Sequence, residues 1–269
     1  MHIVVCIKQV PDTTEVRIDP VKNTLIRDGV PSIVNPFDEC AVEAALRFRE
    51  AQGGRVTVLS MGPPQAETAL RKGLAMGADD AVLVSDRAVA GADTLATSYT
   101  LAQAIRKLGD VELIFCGKMA IDGDTAQVGP GIAEHLGWPQ VTYVQKIKEV
   151  YPDHLVVERA AEGGAESVRV SLPALIAVEK SIGEPRYPSV KGSVRAEKAA
   201  VTVWSAADIE APPDKTGLNG SPTQVMQIFT PEVKAASELL SGDTPEALAD
   251  ALIARLLAAE LIVREGAAT

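Results

Sequence analysis

Aromatic side chains are scarce in this chain: two Trp, four Tyr and four Phe make up 4% of its 269 residues. That leaves too few rings for a platform that stacks bare nucleic-acid bases. Positive charge is in deficit as well. Twenty-six basic residues face 36 acidic ones, a net charge of −10, which argues against a nucleic-acid or anionic-membrane surface. No apolar run approaches the roughly 18–20 residues that span a bilayer. The first eight residues lack the charged region and cleavage site of a signal peptide and read instead as a first strand. A cytoplasmic location is therefore expected. Only three cysteines are present, Cys6, Cys40 and Cys116, without CxxC spacing; they read as small buried residues rather than ligands or a disulfide framework. The three histidines sit outside any HExxH or triad context, and no Walker-type GxxxxGK[ST] occurs. Neither a metal site nor nucleotide hydrolysis is expected, and no side chain is nominated as a catalytic acid or base.

What is present is alternation. Ile3–Ile7, Arg55–Met61, Ala81–Val84 and Val111–Cys116 are short apolar runs separated by segments with helical spacing. Asn35-Pro36 opens one such helix, with Asn expected as N-cap and Pro at its first position. Asp93 caps another that runs to Leu108. Strands alternating with helices of 10–16 residues predict βαβ units and a mainly parallel sheet with helices on both faces. A small hairpin is expected around Asp19-Pro20. After Pro139 the pattern shortens: Val141–Val150, His154–Arg159, Ser167–Ser171 and Ala174–Val178 read as an antiparallel piece extending one sheet edge, with turns at Pro152-Asp153 and Gly163-Gly164. Residues 180–230 are rich in Pro, Gly and Lys with little periodicity, so an irregular stretch is expected there. The tail Thr244–Ile262 is helical, with Leu248, Leu252, Leu256 and Leu257 on one side. It docks either on another subunit or on its own core.

The stretch from Gly117 to Gly131 carries the most chemistry. An apolar strand, a Gly-rich polar turn and then a helix is how open α/β sheets place a ligand at the carboxyl end of a strand. Free backbone N–H groups and the helix dipole favour an anion there. Asp122 and Asp124 would repel phosphate and suit capping or ribose contacts better. The bare pattern is compatible with nucleotide binding or with an ordinary βα turn.

Five motifs in order narrow the choice: Ile7-Lys8-Gln9-Val10-Pro11; Asp28-Gly29-Val30 leading into Asn35-Pro36-Phe37-Asp38-Glu39; Leu74-Ala75-Met76-Gly77-Ala78-Asp79; Ala120-Ile121-Asp122; and Glu184-Pro185-Arg186-Tyr187. With them the chain resembles, from end to end, the beta subunit of the electron-transfer flavoproteins. The resemblance implies an adenine-nucleotide alpha-hydrolase-like fold and an obligate heterodimer with an alpha subunit that carries FAD. It implies a domain over residues 1–229 and a C-terminal arm over 230–269 that packs on that alpha subunit. Conventional members bury a structural AMP in the beta subunit. Bifurcating members place a second FAD there, which oxidises NADH and sends electrons separately to ferredoxin or flavodoxin and, through the alpha-subunit flavin, to an acyl-CoA dehydrogenase or quinone-linked oxidoreductase. A non-catalytic adenine-nucleotide-binding regulatory module is the reading from another class.

Matched to these motifs, nucleotide contacts are expected at Cys6, at Asn35, Pro36, Phe37 and Asp38, and at Met61. They continue through the loop Gly117, Lys118, Met119, Ala120, Ile121, Asp122, Gly123, Asp124, Thr125, Ala126, Gln127 and Val128. FAD is favoured over AMP by two details. Gly123 separates Asp122 from Asp124, so no third carboxylate opposes a pyrophosphate, and glycine permits positive φ. The stretch from Gly91 to Thr97 resembles the bifurcating type, with Thr94 and Thr97 three apart so that both hydroxyls can face one ligand; the segment 217–225 resembles it too. The partner-docking loop is expected over about 184–198, including Glu184, Pro185, Arg186, Tyr187, Val190, Lys191 and Arg195. Val190 stands where the family has an anchoring leucine and buries about one CH2 less, ~0.8 kcal/mol.

Overall fold

The computed structural model describes residues 1–12, 17–19, 24–26, 31–227, 237 and 239–263. The chain divides into two units, Met1–Ile228 and Phe229–Thr269. The elements of the first are, in order, β1 (His2–Cys6), β2 (Gln9–Pro11), β3 (Arg17–Asp19), β4 (Thr24–Ile26), β5 (Ser32–Val34), α1 (Pro36–Gln52), β6 (Arg55–Met61), α2 (Glu67–Met76), β7 (Asp80–Val84), α3 (Thr94–Leu108), β8 (Val111–Gly117), α4 (Val128–Leu136), β9 (Gln140–Val150), β10 (His154–Ala161), β11 (Gly164–Ser171), β12 (Ala174–Val178), α5 (Val190–Lys198) and β13 (Thr202–Trp204). The second holds α6 (Pro245–Ala258).

Nine strands form one sheet in the order β11–β10–β9–β12–β8–β1–β6–β7–β13. The run from β9 to β13 is parallel, and β10 and β11 continue it antiparallel at one edge. The expected α/β class with an antiparallel extension is therefore what is observed. Successive residues of β1 alternate between faces: Ile3 and Val5 join the core under α1, α2 and α5, while Val4 and Cys6 join the one under α3 and α4. β3 and β4 pair antiparallel as the expected hairpin; its connecting residues and Asp28-Gly29-Val30 lie outside the described residues. β2 and β5 form a further antiparallel pair. Among the described residues, no helix is long and apolar enough to cross a membrane.

Two expectations are corrected. Ala174–Val178 does not belong to the antiparallel piece: β12 lies inside the sheet, parallel to both β8 and β9, with all five residues buried. A wholly apolar five-residue run is the pattern of a parallel strand covered on both faces. The stretch 180–230 is also far from structureless. Ser189 caps α5 by accepting from the Gly192 N–H at 3.0 Å, β13 extends the sheet beyond β7, and Ala206, Ile209 and Ala211 are buried. α5 has a single buried residue, Ala196, and its valines Val190 and Val194 stay exposed, so burial of an apolar face does not hold it. It is held to α2 by reciprocal capping. Arg71 of α2 donates to the Ala196 carbonyl at 2.6 Å, and Arg195 of α5 donates to the carbonyls of Leu74 and Ala78 at 2.8 and 2.9 Å. Each arginine thus donates to carbonyls at the other helix's carboxyl end.

In the second unit Thr244 caps α6, accepting from the Ala247 N–H at 3.2 Å. The helix ends at Ala258, short of the expected Ile262, just before Glu260 at φ 56°. Leu252 and Ile253 remain about half exposed.

Residues 184–187 are pinned to α1 by Arg186. Its guanidinium donates to Glu43 at 2.7 Å and to Glu50 at 3.0 Å, and Glu43 is only 3% exposed. Burial alone would raise the Glu43 carboxyl; the hydrogen bonds from Arg186 and Arg47 overcome it and hold the group below the ordinary range. Its contribution to stability is therefore present above the ordinary carboxylate value and is lost as pH falls through the depressed one. We expect Arg186→Met to cost about 2 kcal/mol at neutral pH, less than a fully buried pair because Arg186 is partly solvated. The deficit should shrink on acidification below pH ~4 as Glu43 protonates. Urea unfolding of the variant and the parent across pH checks both.

Candidate functional site

The chain runs from β1 to β6 and β7 on one side, then returns to place β8 on the other side of β1. The carboxyl ends of β1 and β8 therefore flank a topological switch point, the place where open α/β sheets bind ligands. The residues singled out from sequence converge here. Cys6 and Gly117 end β1 and β8, Asn35 to Asp38 begin α1 beneath them, and residues 118–127 form the loop that leads into α4.

The two strand ends are joined by one carboxylate. Asp38 accepts from the Lys8 N–H at 2.8 Å through one oxygen and from the Gly117 N–H at 3.1 Å through the other. It is 6% exposed. Burial pushes its carboxyl up to about 7, a rise only partly offset by these N–H donors. A side chain at Gly117 would not fit, since its Cβ would lie 2.4 Å from the Asp38 carboxylate.

Asn35 departs from its expected role. It makes no side-chain cap for α1 because its amide is turned into the loop. Its Nδ2 donates to the Met119 carbonyl at 2.8 Å, and its Oδ1 accepts from the Ile121 N–H at 3.2 Å. Asn35 is fully buried, so it shapes the loop from below. Cys6, Phe37 and Asp38 are buried too and form the floor; burial pushes the Cys6 thiol up to about 12, consistent with an inert packing residue.

The upper face belongs to the loop. Positive φ falls on Asp124 (55°) and Ala126 (53°) rather than on Gly123. Two non-glycine residues in the left-handed region within three positions represent local strain of the kind that collects at binding sites. Alternating backbone hands also turn successive N–H groups toward one concavity, a form that binds anions. Among the described residues, the N–H groups of Thr125, Ala126 and Gln127 have no hydrogen-bond partner, and they run directly into the orphan donors of α4's first turn. The repulsion expected from Asp122 is muted, because both its oxygens lie 2.7–2.8 Å from the Lys8 Nζ. Lys118 pairs with Glu179 at 2.9 Å.

Across the crevice, Asp93 caps α3 as expected, accepting from the N–H groups of Leu95 and Ala96. Thr94 donates to the Gln127 Oε1 at 3.0 Å, which ties α3 to the loop. Thr97 lies one turn further on in α3 and is part-buried, and Met61, also part-buried, ends β6. Lys8 as the counter-charge of Asp122, and Ser221 and Thr223 as partners of Asp93, were not foreseen. They lie 114 to 130 residues from those partners, and no periodicity signals such a pairing.

The expected docking residues are not at this site. Arg186 and Arg195 are engaged with α1 and α2 as described above, whereas Tyr187 and Val190 are 95% and 85% exposed. Lys191 is exposed beside them on α5.

Comparison with known proteins adds a lineage to this geometry. Residues 22–209 match the family model described as the electron transfer flavoprotein domain. The chain is 55% identical over 257 residues to the electron transfer flavoprotein subunit beta of Thermoanaerobacterium thermosaccharolyticum, covering 95% of this chain and 98% of that one. It is 50% identical over 257 residues to the caffeyl-CoA reductase-Etf complex subunit CarD of Acetobacterium woodii, with 95% and 98% covered. It is 50% identical over 263 residues to protein FixA of Azorhizobium caulinodans, with 95% and 94% covered.

Asp38 generates a pH signature. Its folded value lies above the ordinary 3.8, so the folded state binds the extra proton and stability declines as pH rises from about 4 to about 7. Asp38→Asn removes that titration. Relative to the variant, the parent is expected to lose up to about 1.4 kcal/mol per pH unit across this window. Thermal unfolding of the nucleotide-stripped protein at several pH values measures the difference.

Proposed function

The chain belongs to the electron transfer flavoprotein family as a beta subunit, and we propose that its switch-point crevice binds FAD, with the chain acting in a heterodimer that oxidises NADH and divides the electrons between two acceptors. The observation that carries this reading is the row of N–H groups at Thr125, Ala126 and Gln127, without a partner among the described residues and continuous with the start of α4. It offers donors to more than one phosphate, and Lys8 neutralises the nearer carboxylate. The space beside Gly123 is open, since a Cβ there would meet nothing within 4 Å. Thr94 and Thr97 supply hydroxyls at the start of α3, on the far side of the crevice.

FAD, when bound, supplies the redox chemistry: it accepts hydride and releases electrons singly. The chain's own residues bind and orient. Asp38 and Asn35 fix the spacing of the strand ends and the loop, and the 125–127 N–H groups together with α4 receive phosphate. No side chain is required to move a proton.

The name CarD attaches its bearer to a caffeyl-CoA reductase complex. By that likeness the alpha-subunit flavin here would pass electrons to an acyl-CoA dehydrogenase or a quinone-linked oxidoreductase, with ferredoxin or flavodoxin as the other acceptor. Tyr187 and Val190, held outward while Arg186 anchors the backbone behind them, fit a docking surface for that dehydrogenase. The C-terminal arm, with its half-exposed Leu252 and Ile253, fits packing on the alpha subunit. We place the complex in the cytoplasm.

Counting nucleotides extracted from the co-expressed heterodimer tests the cofactor. We expect two FAD and no AMP; one FAD and one AMP would make the chain the structural half of a simple carrier. The docking surface is tested by Val190→Asp. Acceptor reduction by the dehydrogenase should fall about tenfold or more, the ~1.4 kcal/mol or greater that a charge buried in an apolar contact costs. NADH oxidation by the bound flavin should be unchanged, and equal loss of both would refute the assignment.

A further inference from the structure

Asp93 does more than cap a helix. Its Oδ1 accepts from the N–H groups of Leu95 and Ala96 at 3.0 and 3.1 Å. Its Oδ2 accepts from the N–H of Thr223 at 3.1 Å and from the Thr223 hydroxyl at 2.8 Å. Its own N–H donates to the Ser221 Oγ at 2.8 Å, and Ser221 in turn donates to the Gly217 carbonyl at 2.7 Å. One carboxylate thereby joins the start of α3 to the strap 217–223.

The strap is closely fitted. Gly217 adopts φ 55°, and its Cβ would lie 2.3 Å from the Ala88 carbonyl; Leu218 covers Gly91. Beyond it the fastening stops. Among the described residues of the first unit, Thr223 is the last with a hydrogen bond, Val225 and Met226 are 79% and 87% exposed, and the second unit begins at Phe229. The residue next to Asp93, Thr94, holds the ligand loop through Gln127. The first turn of α3 therefore carries the crevice loop on one residue and the strap on its neighbour.

We propose that Asp93 is a positioning residue shared by the nucleotide crevice and the strap, so that nucleotide occupancy and the ordering of residues 217–227 are thermodynamically linked. A nucleotide that fixes Thr94 and Gln127 fixes the turn from which Asp93 reaches Thr223. By reciprocity, loosening the strap weakens nucleotide binding by the same factor. The inference rests on the crevice binding an adenine nucleotide but is indifferent to which one.

The test uses the intact heterodimer, stripped of nucleotide and then saturated with AMP or with FAD. Hydrogen exchange is followed at residues 217–227. Saturation should slow exchange there by roughly fivefold or more, the lower range of allosteric coupling. Thr223→Val, which deletes only the hydroxyl bond at an exposed position, should restore fast exchange with nucleotide bound and weaken nucleotide affinity by a similar factor. Ser221→Ala should do the same. Strap exchange that is identical in stripped and saturated heterodimer, or a variant strap that loosens with affinity unchanged, would overturn the linkage while leaving the nucleotide site standing. Failure of AMP and FAD alike to bind the parent heterodimer would remove the nucleotide-site reading and this inference together.

Discussion

The carboxylate of Asp38 is the constraint on which the upper half of the sheet depends. Beyond the last pair of the β1–β8 ladder, Cys6 and Cys116, the two chains each present an N–H group, on Lys8 and Gly117, at the switch point of the sheet. A buried donor without an acceptor costs about 1–3 kcal/mol, and only a carboxylate on a short stem offers two oxygens pointing two ways. The burial that makes Asp38 useful also raises its proton affinity, so the joint is strong and pH-sensitive at once. Gly117 follows from the same geometry, because the carboxylate occupies the space a side chain would need.

The same device recurs outward from that joint. Orphan backbone groups at the ends of elements are satisfied by side chains from distant parts of the chain rather than by their own neighbours. Asn35 holds the 119–121 backbone, Arg71 and Arg195 exchange caps between α2 and α5, and Asp93 gathers the start of α3 and the strap. With the loop supported from beneath, it can hold Asp124 and Ala126 in the left-handed region, and among the described residues the N–H groups of Thr125, Ala126 and Gln127 have no hydrogen-bond partner. The proposed anion site is thus built from backbone, with charged side chains paired off around it: Lys8 with Asp122 and Lys118 with Glu179. On the proposed reading, that arrangement lets a chain of net charge −10 receive an anionic nucleotide through backbone N–H groups.

Where the sequence was informative, local rules sufficed. The strand–loop–helix run through Gly117–Gly131, the Asp93 cap and the Arg55–Met61 strand are legible because each is specified by residues within a turn or two. Where it misled, the deciding partner was far away. Asn35 looks like a helix cap because its neighbours are a proline and a first turn, yet the loop 84 residues on competes for its amide and wins. β12 looks like another hairpin strand because it follows two, yet its unbroken burial assigns it to the parallel core. α5 was invisible because one buried alanine makes no stripe.

The sequence by itself determined the α/β class, the order of most elements and the position of the loop between β8 and α4, since hydrophobic periodicity and turn chemistry act over short spans. The ordered motifs added the family. Only the tertiary structure decided which side chains lie beneath the loop as supports, and that Arg186 and Arg195 are engaged within the fold. Those choices rest on hydrogen bonds between residues 30 to 143 positions apart, whose geometry exists only after the sheet has brought the ends of its strands together.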